Sequence, residues 1–411
     1  MAGGRKMTVE MTVEIPRFVS LDDHVIEPPG VWVDRLPARW RETGPRVEDL
    51  PLGTAVLDGG KFKERPGTDG PLVSYWRYED LFMSVKRLST AVGFPGDAVT
   101  LGGVRYDDIR PGCYQPGPRL DDMDLNWTDA SLCFPNFPRF CGQTFAEARD
   151  KELALLCVRA YNDWMVEEWC AGSGGRLLPL CLVPLWDADL AIAEVERNAA
   201  RGVRAIAFSE IPAFLGLPSV HSGYWDRFFA TCAATGTVLC LHIGSGTKMP
   251  RTSDDAPDAV SVSMGFGNCV GSLADFIFSG VLERNPDLRL VYSEGQIGWI
   301  PFFLERADDV WQTHGGWSID RANVPEPPST YYYRQVYGCF FKDFHGVESL
   351  GRVGVDNVTF ETDYPHADST WPHTKKLAAE MFAGLDEETV HKVVRGNAIR
   401  LLGLDLENGK A

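Results

Sequence analysis

The sequence predicts an α/β protein, specifically a (β/α)8 barrel with a long insertion after its first strand. Eight short apolar segments recur along the chain, and helical patterns lie between most of them. Most segments are continuously apolar, which is typical of parallel strands covered on both faces. The alternation of strands and helices along the chain indicates a closed parallel barrel or a doubly wound open sheet. No Gly-x-Gly-x-x-Gly follows the first segment, which excludes the commonest dinucleotide-binding open sheet.

The predicted elements follow one another in regular order. The eight strands are expected at residues 17–24, 130–136, 177–185, 203–210, 236–244, 288–294, 335–341 and 357–363. Apolar residues at three- and four-residue spacing predict a helix within 145–171, with Gly172 as its stop. Asp187 and Asp386 are expected to cap the N-termini of two later helices, because aspartate side chains accept bonds from the first helical amides.

Residues 28–128 break this regularity. The segment is rich in proline and glycine and carries scattered aromatic residues, among them Trp32 and Trp76. An insertion of this length is usually functional. We therefore expect one barrel domain over residues 1–411, with 28–128 forming a lid, a dimer contact or both.

Composition limits the classes of partner. The 411 residues carry a formal net charge of −17, which argues against nucleic acid and anionic membranes as partners. No apolar run reaches the length of a membrane span, and no apolar leader segment is visible. The ten cysteines show no Cys-x-x-Cys pair, and several lie in apolar runs. These features predict a cytoplasmic protein with reduced thiols that acts on a small molecule.

Polar residues occupy the ends of several predicted strands. Asp22 and His24 end the first strand, and their two-residue spacing directs both side chains to one face. His242 lies in the fifth strand, Glu294 at the end of the sixth and Asp363 at the end of the eighth. Because the C-terminal strand ends of a barrel surround its active site, these side chains are expected to converge.

Each residue alone also has a structural interpretation. Asp363 fits a turn or a helix cap, His242 a buried core histidine, and Glu294 a partner for loop amides or Arg306. Their joint placement at the tips of apolar strands favours a metal site, since buried charges are costly unless paired or metal-bound.

Several segments resemble the amidohydrolase-2 family, a branch of the amidohydrolase superfamily that includes aminocarboxymuconate-semialdehyde decarboxylase. The motifs are "SLDDHVIEPP", "LCLHIGSG", "VYSEGQIGWIPFFLERADD", "FETDYPHADSTWP" and "GNAIRLLGL". The resemblance implies a metal-dependent TIM barrel, often a homodimer. It also implies that Asp363 binds metal or orients a metal-bound water.

Two positions depart from the family pattern. Asp22 stands where a histidine is usual, and Glu294 stands where the decarboxylases have a histidine. A shell of Asp22, His24, His242, Glu294 and Asp363 suits Fe²⁺ or Mn²⁺, with Zn²⁺ as an alternative. The carboxylates suffice for one ion or two, with Glu210 or Glu294 as a candidate bridge.

Three functional classes remain open. The leading prediction is a metal-dependent hydrolase of an ester, thioester or amide of a hydrophobic acid, with Asp363 as the proton carrier. The alternative is non-oxidative decarboxylation of an aromatic or enoic acid, with a protonated side chain supplying the proton. A non-catalytic metal protein ranks lowest, because structural zinc sites are usually closed Cys/His tetrahedra. His366 and His373 are candidate outer proton donors or substrate contacts, and His345 is a further candidate.

Overall fold

The computed structural model describes residues 13–58 and 61–406. Eight strands pair in parallel around a closed ring, with the first strand between the second and the eighth. The third strand is divided at Pro179: Leu177–Leu178 pairs with the second strand and Leu180–Cys181 with the fourth. These two short pairings close the barrel, which confirms the predicted fold class.

Each predicted strand is present, although most are shorter than the apolar runs. The barrel strands are Phe18–Val25, Thr128–Pro135, Leu177–Leu178 with Leu180–Cys181, Ala205–Phe208, Val238–His242, Leu290–Ser293, Val336–Phe340 and Val358–Phe360. The third was predicted to continue to residue 185. It stops at Cys181 because the backbone of Leu182 bonds to a side chain instead of to a neighbouring strand. Leu182 N donates to Asn162 Oδ1 at 2.7 Å, and Asn162 Nδ2 donates to the Leu182 oxygen at 2.9 Å.

Helices cover the outside of the barrel and follow the strand ends. The α-helices are Gly30–Val33, Pro116–Leu125, Gln143–Glu147, Lys151–Trp164, Ala188–Ala199, Asp226–Thr235, Asp258–Ser263, Phe266–Phe278, Val281–Arg284, Ile300–Thr313, Pro328–Gln335, Phe344–Glu348, Leu350–Val353, Thr374–Met381, Glu387–His391 and Asn397–Leu402. Asp187 and Asp386 cap their helices as predicted. The helix expected within 145–171 is interrupted, because Asp150 caps a new helix by accepting from Leu153 N at 3.0 Å.

The chain between the first two barrel strands forms its own small sheets. Arg46–Pro51, Leu72–Tyr78 and Leu81–Ser84 form a three-stranded antiparallel sheet, and Thr54–Asp58 pairs with Lys61–Arg65. The helix Pro116–Leu125 then returns the chain to the barrel. The buried Arg119 on this helix donates to the backbone oxygen of His24 at 2.6 Å, which ties the insertion to the first strand.

Asp23 joins three parts of the barrel from the face opposite Asp22 and His24. Its carboxylate accepts bonds from the Ser131 hydroxyl, from Thr362 Oγ1 at 2.6 Å and from Tyr364 N at 3.0 Å. These partners belong to the second strand and to the chain after the eighth strand. Asp23 is therefore a structural crosslink between these segments.

The ten cysteines form no disulfide, and nine of them are buried. Within residues 13–58 and 61–406, none of the helices combines the length and the apolar character that a membrane span requires.

Candidate metal centre and active site

The five predicted ligand residues converge at the C-terminal ends of four barrel strands. Asp22 and His24 come from the first strand, and His242 is the last residue of the fifth. Glu294 and Asp363 follow the sixth and eighth strands. Four of the five are buried, and Glu294 is slightly exposed.

The two histidines define the centre of this cluster. His24 Nε2 and His242 Nε2 lie 3.3 Å apart. His242 Nε2 is 3.3 Å from Asp22 Oδ2 and 3.4 Å from Glu294 Oε1. His24 Nε2 is 3.3 Å from Asp363 Oδ1 and 3.5 Å from Asp22 Oδ1. Donor atoms at these separations surround a common point, as the ligands of one ion do.

Neighbouring groups fix the orientation of His242. Its Nδ1 lies 2.6 Å from the backbone oxygen of Ile243, so the proton is on Nδ1 and the Nε2 lone pair faces the cluster. Phe140 stacks on the imidazole, with centroids 4.0 Å apart and planes at 8°. A hydrogen bond from the non-ligating nitrogen is the usual arrangement for a metal-binding histidine.

Glu294 and Asp363 adopt backbone conformations that side-chain-bearing residues rarely use. Their φ angles are 54° and 51°. Such conformations cost roughly 1–3 kcal/mol and persist where the surroundings impose them, often at functional sites. Here Glu294 N donates to Glu361 Oε2 at 3.1 Å, and Asp363 N donates to the backbone oxygen of Asp22 at 3.0 Å.

The cluster carries more buried negative charge than its neighbours compensate. Both carboxylate oxygens of Asp22 lack a hydrogen-bond partner in the described part of the chain, whereas Asp363 Oδ1 faces His366 Nδ1 at 3.0 Å. Burial, followed by repulsion from Glu361 and Glu294, raises the pKa of Asp22 well above its usual range. Burial and repulsion from Glu294 likewise raise the pKa of Asp363, despite the attraction of His366.

The histidines and Glu294 show the complementary effects. Burial, followed by repulsion from His366, lowers the pKa of His24 well below its usual range, so its imidazole is neutral. Burial alone would raise the pKa of Glu294, but attraction from His242 and His24 outweighs it and holds that pKa well below its usual range. The neutral imidazole of His24 and the buried carboxylate of Asp22, which accepts no hydrogen bond, are the kinds of donor that a divalent cation requires. The residues therefore fit a divalent metal ion.

His366 extends the cluster toward solvent. Its ring stacks on His24 at 3.6 Å, and its Nδ1 lies 3.0 Å from Asp363 Oδ1 and 3.8 Å from Glu294 Oε1. Burial opposes its protonation, but the contact with Asp363 raises the pKa of His366 to about 10. The donor atoms form two sets of four, Asp22–His24–His242–Glu294 and His24–Glu294–Asp363–His366, which share two residues.

Other residues suggested by the sequence lie elsewhere. Glu210 Oε1 accepts from Gly244 N at 3.0 Å and Gly246 N at 3.2 Å, so it holds the loop after the fifth strand and lies outside both donor sets. His373 and His345 are exposed and also outside them. Arg306 pairs with Asp309 rather than with Glu294.

Sequence reasoning missed two residues of the site. Glu361 lies two positions before Asp363 and is buried against Glu294 N, so the two-residue strand period was a usable signal. Phe140 belongs to the loop after the second strand. Nothing in its sequence context indicates that it would stack on His242.

A cavity of about 400 Å³ opens beside the cluster. Glu294, Asp363 and His366 form one wall. The loop after the second strand forms another through Arg139 and Phe140, and the insertion contributes Leu81, Met83 and Leu88. The cavity therefore gives a small molecule access to Glu294, Asp363 and His366.

The chain is similar in sequence to proteins of a known family. The amidohydrolase family model Amidohydro_2 matches residues 75–404. Gamma-resorcylate decarboxylase from Rhizobium sp. strain MTP-10005 is 25% identical over 360 residues, which cover 80% of this chain and 97% of that protein.

Solved structures show the same fold. An amidohydrolase from Mycobacterium avium subsp. paratuberculosis superposes with a TM-score of 0.65 at 21% identity, covering 94% of this chain and 99% of that one. A dihydroxybenzoic acid decarboxylase from Polaromonas sp. with bound manganese and the inhibitor 2-nitroresorcinol gives 0.56 at 19% identity, covering 71% and 86%. These likenesses concern the fold, and the match of the family model over residues 75–404 shows that the chain belongs to the amidohydrolase family.

Proposed function

We propose that the protein is a metal-dependent enzyme that removes the carboxylate of a hydroxybenzoate-type aromatic acid as CO2, without oxidation. The observation that carries this proposal is the convergence of Asp22, His24, His242 and Asp363 beside a cavity of about 400 Å³. The cluster can hold a cation, and the cavity can hold an aromatic acid next to it.

The relatives favour decarboxylation over hydrolysis. The similar proteins whose names state a reaction include decarboxylases of gamma-resorcylate and of dihydroxybenzoic acid. The hydrolase prediction, which rested on the missing sixth-strand histidine, finds no support among them. Decarboxylation, the alternative that the sequence left open, is the better interpretation.

We assign the metal to Asp22, His24, His242 and Asp363, with Glu294 as a further ligand. Manganese is the preferred ion, because the shell is rich in carboxylate oxygen and a neighbour of the same fold binds manganese. When bound, the ion would balance the charge of the cluster and attract the carboxylate and an adjacent ring oxygen of the substrate.

Asp363 and His366 supply the proton. Decarboxylation breaks the bond between ring carbon and carboxylate, and a proton takes the vacated position as CO2 departs. His366 Nδ1 and Asp363 Oδ1 lie 3.0 Å apart, and both residues line the cavity. A proton shared between them is within reach of a ring held beside the cluster.

Glu294 holds the three imidazoles together. Its Oε1 is 3.4 Å from His242 Nε2, 3.7 Å from His24 Nε2 and 3.8 Å from His366 Nδ1. Glu294 stands where the resembling decarboxylases have a histidine. It keeps a charged group at the cavity wall, and His366 delivers the proton in place of that histidine.

Product analysis tests the proposal. Purified protein loaded with Mn²⁺ is incubated with gamma-resorcylate, and resorcinol and CO2 are measured by chromatography and gas analysis. Equal molar amounts of both products are expected. A panel of hydroxybenzoates that yields no CO2, alongside an aryl ester that is cleaved with uptake of water, would overturn the assignment.

A further inference from the structure

We propose that the substrate is an apolar monocarboxylic acid whose ring carries an aliphatic substituent opposite the carboxylate, and that Leu81, Met83 and Leu88 of the insertion bind this substituent. This inference rests on the decarboxylase function proposed above. In this proposal the insertion selects the substrate, and the residues at the ends of the barrel strands catalyse the reaction.

The strand Leu81–Ser84 presents its apolar side chains to the cavity. Successive residues of a strand point to opposite faces, so Leu81 and Met83 share the face that lines the cavity. Phe82 points the other way, with its ring 6.4 Å from that of Tyr75 and 5.5 Å from the Arg77 guanidinium. The apolar wall is thus built by the register of the strand.

The cavity is larger than a bare aromatic acid requires. An engineered protein cavity of about 150 Å³ accommodates benzene. The cavity beside the cluster measures about 400 Å³, which leaves room beyond one ring and its carboxylate. The insertion's side chains line that remaining space.

Part of this wall is exposed apolar surface. Leu88 is 37% exposed and Val262, which also lines the cavity, is 70% exposed. Apolar surface that stays open at a cavity is stabilised when an apolar ligand covers it. An aliphatic substituent reaching from the ring would cover both side chains.

The charges of the wall exclude a second anionic group. The basic side chains that line the cavity already face carboxylates: Lys86 pairs with Glu64, Arg139 with Glu147 at 3.1 Å, and His366 with Asp363 at 3.0 Å. Arg139 Nη2 also donates to Thr247 Oγ1 at 2.6 Å. The carboxylate of Asp368 also lines the cavity and lies outside both donor sets, so a bound ion would not be coordinated by it. A substrate with a second carboxylate would meet repulsion there.

A substrate series tests this inference in the Mn²⁺-loaded enzyme. The kcat/KM for CO2 release is measured with gamma-resorcylate and its 4-methyl, 4-propyl and 4-carboxy derivatives. We expect about a fourfold rise in kcat/KM for each added methylene while the cavity has room. The 4-carboxy derivative is expected to fall at least tenfold below gamma-resorcylate.

Variants of the wall locate the effect. Leu88→Gln should abolish most of the preference for the propyl derivative over gamma-resorcylate, measured as the ratio of their kcat/KM values in the same variant, and Met83→Gln provides an independent second test. Leu72→Gln is the matched control, because Leu72 is a leucine of the same sheet, 52% exposed, that does not line the cavity. It should keep the full preference.

The outcomes separate this inference from the function on which it rests. If CO2 is released from gamma-resorcylate but alkyl groups do not raise kcat/KM, the proposed aliphatic substituent is wrong. The decarboxylase assignment would still hold. A gain that survives both wall variants overturns the role of the insertion. Absence of CO2 from every acid, in protein shown to contain metal, rejects the decarboxylase itself.

Discussion

Asp363 makes more contacts within the charged cluster than its turn-forming sequence context indicates. Its Oδ1 lies 3.0 Å from His366 Nδ1 and 3.3 Å from His24 Nε2, and its backbone amide binds the carbonyl of Asp22. One side chain thus connects the eighth strand to the first and to the outer histidine. At the scale of single residues, the proposal can be tested by removing charges from this cluster one at a time.

Replacement of Asp363 by asparagine should lower turnover of the acid substrate by at least about a thousandfold, because the variant loses both a metal ligand and the proton partner of His366. In the presence of chelator, the free energy of unfolding of the variant should not fall below that of the wild type, since a buried and repelled carboxylate is neutralised. Steady-state kinetics and urea unfolding measure the two effects. Asp368→Asn, on the same cavity wall but outside both donor sets, is the control that should retain most activity; equal losses in the two variants would contradict the assignment.

Replacement of His242 by alanine should reduce the metal content of protein purified without added metal. The imidazole contributes a lone pair 3.3 Å from the oxygen of Asp22, and no nearby side chain replaces it. Elemental analysis gives the stoichiometry per chain. His221→Ala, a change at an exposed histidine paired with Asp275, should leave the metal content intact. Full occupancy in His242→Ala protein would mean that His242 is a core residue.

At the scale of elements, the loops after the strands depend on buried carboxylates that take no part in the chemistry. Glu27 follows the first strand, and its two oxygens accept the backbone amides of Asn136 and Phe137, each at 2.9 Å. This contact sets the start of the loop that carries Phe140 to His242. Glu210 does the same for the loop after the fifth strand.

Glu27 should make folding stability depend on pH. Burial raises its pKa from the usual 4.5 to about 7, so folding favours the protonated form. The associated stabilisation is complete below about pH 4.5 and is lost as the pH rises through about 7. The free energy of unfolding of the wild type relative to Glu27→Gln protein should therefore fall by roughly 3 kcal/mol between these limits.

Urea titrations of wild type and variant across this range measure the difference. Glu152→Gln, at an exposed helix position, serves as the control and should show no such trend. A difference between wild type and Glu27→Gln protein that stays constant with pH would mean that Glu27 is ionised in the folded state.

At the scale of the whole molecule, one closed ring of strands brings together residues that lie up to 341 positions apart, as Asp22 and Asp363 do. The segment 28–128 adds one wall of the cavity. Its roles as a lid and as a contact in a homodimer stay predictions, which rapid kinetics of substrate entry and the mass of the protein in solution would test.

Metal removal should destabilise the entire barrel, because ions that bind only the folded state stabilise it by mass action. Free Mn²⁺ at a hundred times its Kd contributes about 2.7 kcal/mol. For a chain of this length that corresponds to a fall in Tm of about 3 °C after chelation. Differential scanning calorimetry with and without chelator measures it. Asp22→Asn and His242→Ala proteins should lose most of the response, and an unchanged Tm in the wild type would contradict metal binding by the folded barrel.

The sequence by itself determined the architecture and most of the charged cluster. Apolar runs spaced by helical patterns predicted all eight strands, and the two-residue period separated Asp22 and His24 from Asp23. These features are local: strand pairing and side-chain alternation depend on near neighbours in the chain. The positions of His242, Glu294 and Asp363 at the ends of predicted strands placed these residues at the same rim.

Only the tertiary structure decided which other side chains contact the residues of the cluster. The division of the third strand depends on the side chain of Asn162, and the burial of Glu361 and the stacking of Phe140 on His242 depend on loops from separate strands. The size and apolar wall of the cavity likewise depend on how the insertion folds back over the barrel. Contacts between segments distant in sequence are set by packing in three dimensions, and no local pattern encodes them.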